Sequence, residues 1–171
     1  MNEPLPLQTD PQLQVRVQRS ARRKRSVGAR LDGDVVTIVI PTWMSAAEEA
    51  HWVQVMHGRY SRARSTERFD LPARAAALAT RLDLPAPEAV RWSDDMLHRW
   101  ASCTPGTRTI RVSTRVAHFP DWVVDYVIVH ELAHFVQANH SAAFWELVAR
   151  YPLSERARGY LIARSGDADD H

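Results

Sequence analysis

The sequence predicts an α+β protein with a small β-sheet and four or five helices. Short runs rich in β-branched and aromatic residues lie within 27–40 and 89–113, next to glycine and proline residues that favour turns. Between and after these runs, apolar residues recur at helical spacing behind capping residues. A chain of 171 residues with 45% hydrophobic and 25% charged residues is typical of a soluble domain with its own core.

The first strands form a predicted β-hairpin. Residues 27–31 and 35–40 are rich in valine and isoleucine, and the turn-forming sequence Asp32-Gly33-Asp34 separates them. Pro41 ends the second strand because proline has no amide hydrogen for a β-ladder. Two or three further short strands are predicted between Ala89 and Ser113, around Pro105-Gly106.

The helices are predicted from capping signals and apolar periodicity. Ser45 and Glu48 form a capping box, in which each side chain accepts a hydrogen bond from the other residue's backbone amide. Five helices are expected: after Ser45 to Gly58 or beyond, after Asp70 to before Pro85, from Asp121 toward Asn139, from Ser141 to about Tyr151, and from Ser154 to about Arg164.

Composition suggests one domain over 15–164, with a tail at 1–14 and an acidic tail at 165–171. No apolar run is long enough to span a bilayer, so no membrane association is expected. Cys103 is the only cysteine, which excludes an internal disulfide and a thiolate zinc cluster. We expect a cytoplasmic protein.

Basic residues concentrate near the N-terminus, although the formal net charge is only +2. No acidic residue lies between Arg16 and Arg30, and the densest part of this stretch is Arg22, Arg23, Lys24 and Arg25. Such a cluster can bind nucleic-acid phosphates, but a solvated arm or a strand edge has the same composition. No aromatic residue interrupts the cluster to stack on bases.

The clearest chemical signal is His130-Glu131-Leu132-Ala133-His134, an HExxH motif within the predicted helix that begins at Asp121. Two histidines four residues apart lie on one helical face, about 6 Å apart along the axis, so both can reach one cation. Glu131 is placed to contact a water molecule on that cation, which is the general-base position of a zinc hydrolase.

A catalytic zinc usually has three protein ligands and one open position, so a third ligand is needed. His140 comes six residues after His134, just beyond the expected helix end, where a left-handed Asn139 would turn the chain back. The metzincin peptidases share this spacing but need a glycine at the position of Gln137 and a methionine downstream. Both are absent here, since every methionine precedes the motif.

The sequence resembles the YgjP-like metallopeptidases, a zincin group related to the SprT-like proteases. The resemblance rests on Arg99-Trp100-Ala101-Ser102-Cys103, on the stretch from Asp125 to His134, and on Asn139-His140-Ser141-Ala142-Ala143-Phe144-Trp145. It implies a zincin-like fold in which the N-terminal hairpin packs against the helices. It also implies metal binding by His130, His134 and His140, with Glu131 as the catalytic acid/base.

The working hypothesis is a zinc-dependent metallopeptidase with one Zn²⁺ ion, acting on a peptide or protein. The sequence does not identify a second group to stabilise the developing oxyanion. Tyr126, Tyr151 and Arg99 are candidates, and Asp125 is a candidate for orienting a ligand histidine, although packing or surface roles explain each of these residues as well.

Two alternatives stay open. One is a nucleic-acid-associated protein, or a SprT-like protease of DNA-bound proteins, that uses the basic N-terminal segment. The other is a metal-binding scaffold without turnover.

Overall fold

The computed structural model describes residues 13–96 and 98–165. The chain forms two compact units, 1–65 and 66–171. The described elements are, in chain order, β1 (Gln14–Ser20), β2 (Gly28–Asp32), β3 (Val35–Pro41), α1 (Ala46–Glu67), α2 (Leu71–Leu82), β4 (Ala89–Ser93), β5 (Ala101–Thr104), β6 (Thr109–Ser113), α3 (Asp121–Ala133), α4 (Ala142–Val148) and α5 (Ser154–Ser165). Short 3₁₀ turns at Pro105–Thr107 and Thr114–His118 flank β6. The predicted α+β class is confirmed.

The first unit contains a three-stranded sheet in the order β1-β3-β2. The predicted hairpin is present, with β2 antiparallel to β3, and Gly33 has the positive φ of 57° that its turn requires. On one face of the sheet, Val36, Ile38 and Ile40 are fully buried in a cluster that includes apolar side chains of α1. The Ser45–Glu48 capping box also forms, and α1 continues well past Gly58 to Glu67.

Strand β1 was not predicted. It pairs in parallel with β3 and begins at Gln14, inside the segment assigned to a tail. Val15 and Val17 alternate with polar residues, but this period-2 signal is short and the run of basic residues comes directly after it. The rest of the predicted N-terminal tail, and the C-terminal tail beyond Ser165, lie outside the described residues. The single-domain span 15–164 stays a prediction.

The second unit contains another three-stranded sheet, in the order β4-β6-β5. Strand β6 is central, parallel to β4 and antiparallel to β5, so the strands expected between Ala89 and Ser113 number three. Ile110 and Val112 of β6 and most of α3 form the core of this unit. Helix α3 ends at Ala133 rather than continuing toward Asn139.

Within the described part of the chain, none of the helices is both long and apolar enough to cross a bilayer.

Candidate metal centre and active-site cleft

Helix α3 brings the first two candidate ligands together. Ten of its 13 residues are buried, so the motif lies deep in the second unit rather than on a solvated face. His130 and His134 are one helical turn apart, and their ring centroids are 4.9 Å apart. His130 is 8% exposed and Glu131 is 7% exposed.

The turn after α3 fixes the orientation of His134. Its ring atom Nδ1 lies 3.0 Å from the carbonyl oxygen of Gln137. A carbonyl oxygen can only accept a hydrogen bond, so Nδ1 carries the proton and the lone pair lies on Nε2. This arrangement is typical of metal-binding histidines, whose second ring nitrogen donates to a carbonyl or carboxylate.

His140 is placed by the loop that joins α3 to α4. The amide of Ser141 donates to the carbonyl of Asn139 at 2.8 Å, and the Ser141 hydroxyl accepts from the amide of Phe144 at 3.4 Å, which caps α4. The expected left-handed conformation of Asn139 is wrong, since the positive φ angles of the described non-glycine residues occur at Asp83 and Arg108. The turn therefore depends on the Ser141 cap and not on a strained residue.

The three histidines form one cluster. His140 Nε2 lies 3.1 Å from His130 Nε2, and the candidate ligand atoms of His130, His134 and His140 all lie within 4.8 Å of one another. Their exposure increases along this series, from buried to intermediate to exposed. The cluster is therefore anchored in the core at His130 and open to solvent at His140.

Phe144 supports all three imidazoles. Its fully buried ring lies 4.9 Å from the ring of His130, 4.5 Å from that of His134 and 4.7 Å from that of His140, measured between centroids. Trp145 stacks on His140 at 5.6 Å with an interplanar angle of 23°. These aromatic contacts restrict the rotamers of the histidines, so the cluster is held in place by packing as well as by the backbone.

Burial also sets the protonation state of His130. Removal from water lowers the pKa of His130 to about 3, and the neighbouring imidazoles of His134 and His140 act in the same direction. The ring is therefore neutral near pH 7, as a metal ligand must be.

A cleft of about 260 Å³ lies beside the cluster. Its walls combine α3 with β5 and the residues just before it, and they include His130, Glu131, His134 and Cys103. The Cys103 thiol hydrogen-bonds the Glu131 carboxylate, and burial together with this negative charge raises the pKa of Cys103 to about 12. Cys103 is thus a neutral thiol, and among the described residues the candidate metal-ligand cluster consists of His130, His134 and His140 without it.

The sequence model of the family described as "YgjP-like, metallopeptidase domain" matches residues 43–161. This span covers most of the chain and contains the whole histidine cluster. The chain belongs to the YgjP-like metallopeptidases. The resemblance seen in the sequence is therefore confirmed, and with it the assignment to a peptidase class of hydrolase that depends on a metal.

Two solved structures are similar to this YgjP-like metallopeptidase. One is the metallopeptidase zymogen abylysin of Pyrococcus abyssi, with 20% identity, a TM-score of 0.49 and coverage of 54% of this chain and 91% of that chain. The other is the metallopeptidase zymogen jannalysin of Methanocaldococcus jannaschii, with 21% identity, a TM-score of 0.47 and coverage of 56% of this chain and 97% of that chain. The comparison with curated proteins gave no match.

Two of the four supporting candidates reach the cleft of this YgjP-like metallopeptidase. Tyr126 lies one turn before His130, is 1% exposed and lines the cleft, with its ring centroid 6.1 Å from that of His130. Arg99 lines the cleft from the segment before β5 and is exposed.

The other two candidates lie elsewhere in the same unit. Asp125 is five residues before His130, about 140° around the helix, and pairs with Arg74 of α2. The hydroxyl of Tyr151 donates to the carbonyl of Trp122 at 3.0 Å. Neither residue lines the cleft. The contacts of Asp125 and Tyr151 agree with the surface and packing roles that the sequence left open. The carbonyl of Gln137, rather than Asp125, orients the candidate ligand His134.

The basic candidates Arg22, Arg23, Lys24 and Arg25 lie in the loop between β1 and β2, in the first unit. They contribute no atom to the histidine cluster.

The sequence missed two features of the cleft. The contact between Cys103 and Glu131 joins a strand to a helix across 28 positions, and no local pattern encodes such a contact. The role of the Gln137 carbonyl is a backbone property, which the side-chain identity at that position does not reveal.

Proposed function

We propose that the chain is a zinc-dependent metallopeptidase in which His130, His134 and His140 hold one Zn²⁺ ion and Glu131 is the catalytic acid/base. The observation that carries the proposal is the convergence of three imidazole nitrogens within 4.8 Å of one another, in a chain that belongs to a metallopeptidase family. A second supporting observation is the burial of Glu131, next to His130 in the chain, on the wall of the cleft.

The donor set fits zinc. Nitrogen ligands bind zinc at about 2.0–2.1 Å, which for a tetrahedral site separates two of them by about 3.4 Å. The separation of 3.1 Å between His130 Nε2 and His140 Nε2 is close to this value, whereas the widest separation between candidate ligand atoms in the cluster, 4.8 Å, is larger. Three neutral imidazoles with one open position are typical of catalytic zinc, whereas magnesium, calcium and manganese prefer oxygen ligands.

A zinc ion held there would supply Lewis acidity to the attacking water and to the substrate carbonyl. The Glu131 carboxylate accepts the proton of the attacking water and then donates it to the leaving amine. The Cys103 thiol, which hydrogen-bonds that carboxylate, limits the orientations that Glu131 can adopt. His134, held by the Gln137 carbonyl, keeps its lone pair directed away from its backbone partner.

The substrate is proposed to be an extended peptide that pairs with β5. The central strand β6 offers no free edge, because it already has β4 and β5 on its two sides. Strand β5 pairs on one side only within the described residues, and Ala101, Ser102 and Cys103 line the cleft. Addition of a peptide strand to this edge would align its backbone along the cleft without demanding a particular sequence.

The catalytic assignment is tested with Glu131→Gln, using casein as an unfolded protein substrate and zinc analysis on the same preparation. We expect zinc content to be unchanged and turnover to fall at least about 100-fold, because general acid–base catalysis contributes roughly 10²- to 10⁴-fold. Glu146→Gln, at an exposed position of α4, is the matched control and should retain full activity. Equal activity of Glu131→Gln and the parent would remove Glu131 from its assigned role.

The third ligand is tested by zinc analysis of His140→Ala beside His51→Ala, which removes an exposed histidine of the first unit. His140→Ala should lose most of its bound zinc, and His51→Ala should keep it. Full zinc occupancy in His140→Ala would leave a two-histidine site and contradict the proposal. A parent protein that binds zinc but cleaves no unfolded protein would favour the scaffold alternative.

A cytoplasmic location also stays a prediction, resting on the use of a single cysteine.

A further inference from the structure

The first unit carries most of the excess positive charge of the chain. Ten of the 22 basic residues lie between positions 13 and 65, where there are only four acidic residues. The family match begins at residue 43, after the sheet at 14–41. None of these basic residues belongs to the histidine cluster or lines the cleft beside it.

The loop at 21–27, between β1 and β2, presents three basic side chains to solvent. Arg22, Lys24 and Arg25 are exposed, and none of them has an ion-pair partner among the described residues. Arg23 differs, because its guanidinium lies against Gly28 and donates to the Ser26 hydroxyl at 3.2 Å. Arg23 therefore shapes the loop, and the other three remain available for an external anion.

The fold places an aromatic ring beside this loop. Trp43 lies just after β3 and is 61% exposed, and its indole Nε1 donates to the carbonyl of Lys24 at 3.0 Å. Arg19 fixes the same turn by donating to the carbonyls of Thr42 and Met44 at 3.0 and 2.8 Å. The sequence suggested that no aromatic residue accompanies the basic cluster, but the pairing of Ser20 with Pro41 brings the loop and the turn to the same end of the sheet.

Two more arginines line the sheet face opposite the α1-packed side. Arg16 of β1 and Arg30 of β2 are both in register with Thr37 of β3, so the three residues form one row across the sheet. Arg16 and Arg30 are exposed, and Gln14 and Gln18 flank Arg16 on the same face of β1. The face therefore offers guanidinium and amide donors around the half-buried Val35 and Val39 of β3.

We propose that Trp43, Arg22, Lys24, Arg25, Arg16 and Arg30, together called the Trp43 surface, bind single-stranded nucleic acid. Phosphates complement the five basic side chains, and the indole supplies a stacking platform that an unpaired base can use and a paired base cannot. Proteins that bind single strands combine these two features. A bilayer is a poorer match, because in the 20–27 loop and the 42–43 turn Trp43 is the one exposed large hydrophobic side chain.

The test measures fluorescence anisotropy of a labelled oligothymidylate with the full chain carrying Glu131→Gln, so that the result does not depend on peptidase activity. Trp43→Ala should weaken binding by about 5- to 100-fold, the range that base stacking on one aromatic ring provides. Trp43→Phe keeps a ring but loses the N–H, and should stay within about threefold of the parent. Equal weakening in both variants would show that the indole acts only by anchoring the loop, and would overturn the stacking platform.

The electrostatic part is tested by a triple variant, Arg22→Ala/Lys24→Ala/Arg25→Ala. Removing three phosphate contacts should make the slope of log K against log salt less steep by about 2, because each contact to a single strand contributes about 0.7. The control, Arg59→Ala/Arg81→Ala/Arg91→Ala, removes the same charge from exposed positions outside the Trp43 surface and should leave the slope unchanged.

Three results would overturn the proposal. They are no binding at low salt, equal loss of affinity in the control triple variant, and binding to phosphatidylserine vesicles that depends on Trp43 while the oligonucleotide does not bind.

Discussion

The two units use aromatic residues and charge in opposite ways. In the second unit, the buried ring of Phe144 contacts three histidines whose candidate ligand atoms lie within 4.8 Å of one another. In the first unit, Trp43 is exposed at the end of a sheet, and basic side chains spread over a loop and a face. The buried arrangement suits a small cation held in fixed geometry, whereas the exposed one suits an extended polyanion.

The difference arises from the requirements of each ligand. A zinc ion held by histidines needs neutral imidazole nitrogens within about 2 Å of it, so these rings must be free of the competing proton and prevented from changing rotamer. A polyanion is attracted over several ångströms, and its binding side chains can stay solvated until contact. Substitutions of the aromatic residues packed on the histidine cluster should therefore affect stability and metal binding together, whereas those at the Trp43 surface should mainly affect nucleic-acid binding.

The largest change in stability and in zinc affinity is expected for Phe144→Ala. Truncation of a buried aromatic residue costs about 3–5 kcal/mol in the free energy of unfolding, because it removes contacts and leaves a cavity. The same change also frees the imidazoles of His130, His134 and His140, so zinc affinity should fall as well. Urea unfolding and zinc titration measure the two effects.

Trp43→Ala is the control for Phe144→Ala. An exposed substitution should change the free energy of unfolding by no more than about 0.5–1 kcal/mol, including the hydrogen bond to the Lys24 carbonyl. If the two variants were destabilised equally, the contrast between a packed and a solvated aromatic residue would not hold.

The next prediction concerns Cys103, whose pKa is raised from 9.0 to about 12. The folded state favours the protonated thiol, so at pH 8 the thiolate fraction is about 1000-fold lower than in the unfolded chain. Alkylation by iodoacetamide should be slower by up to about this factor in the folded protein, and the folded rate should keep rising with pH beyond 9. A comparison of rates with and without concentrated urea measures this. A folded rate that levels off near pH 9 would show that neither burial nor Glu131 perturbs the thiol.

How much of the candidate site could be predicted depends on the separation of its residues along the chain. His130 and His134 are fixed by helical periodicity, and family resemblance together with the Ser141 cap located His140, although the conformation assigned to Asn139 was wrong. The contact between Cys103 and Glu131 depends on how β5 packs on α3, which the sequence does not encode locally.

The same reasoning explains the errors in the first unit. The hairpin of β2 and β3 was predicted because a short turn sequence joins its strands. Strand β1 was missed because its partner β3 is parallel and separated from it by the whole of β2, so no turn signal connects the two. Without β1, the sequence gives no reason to place Trp43 beside Lys24. The basic cluster therefore lacks an aromatic partner as long as the sequence is considered alone.

The smallest effects are expected at two serine caps, one in each unit. Ser45 caps α1 in the first unit and Ser141 caps α4 directly after His140, and each accepts a hydrogen bond from an amide three residues on. Replacing either serine with alanine should cost about 1 kcal/mol of unfolding free energy. Only Ser141→Ala should also weaken zinc binding, because its cap positions the loop that carries His140. Parallel unfolding and zinc-affinity measurements on the two variants test this, and equal zinc affinity in both would mean that Phe144 and Trp145 position His140 without help from the cap.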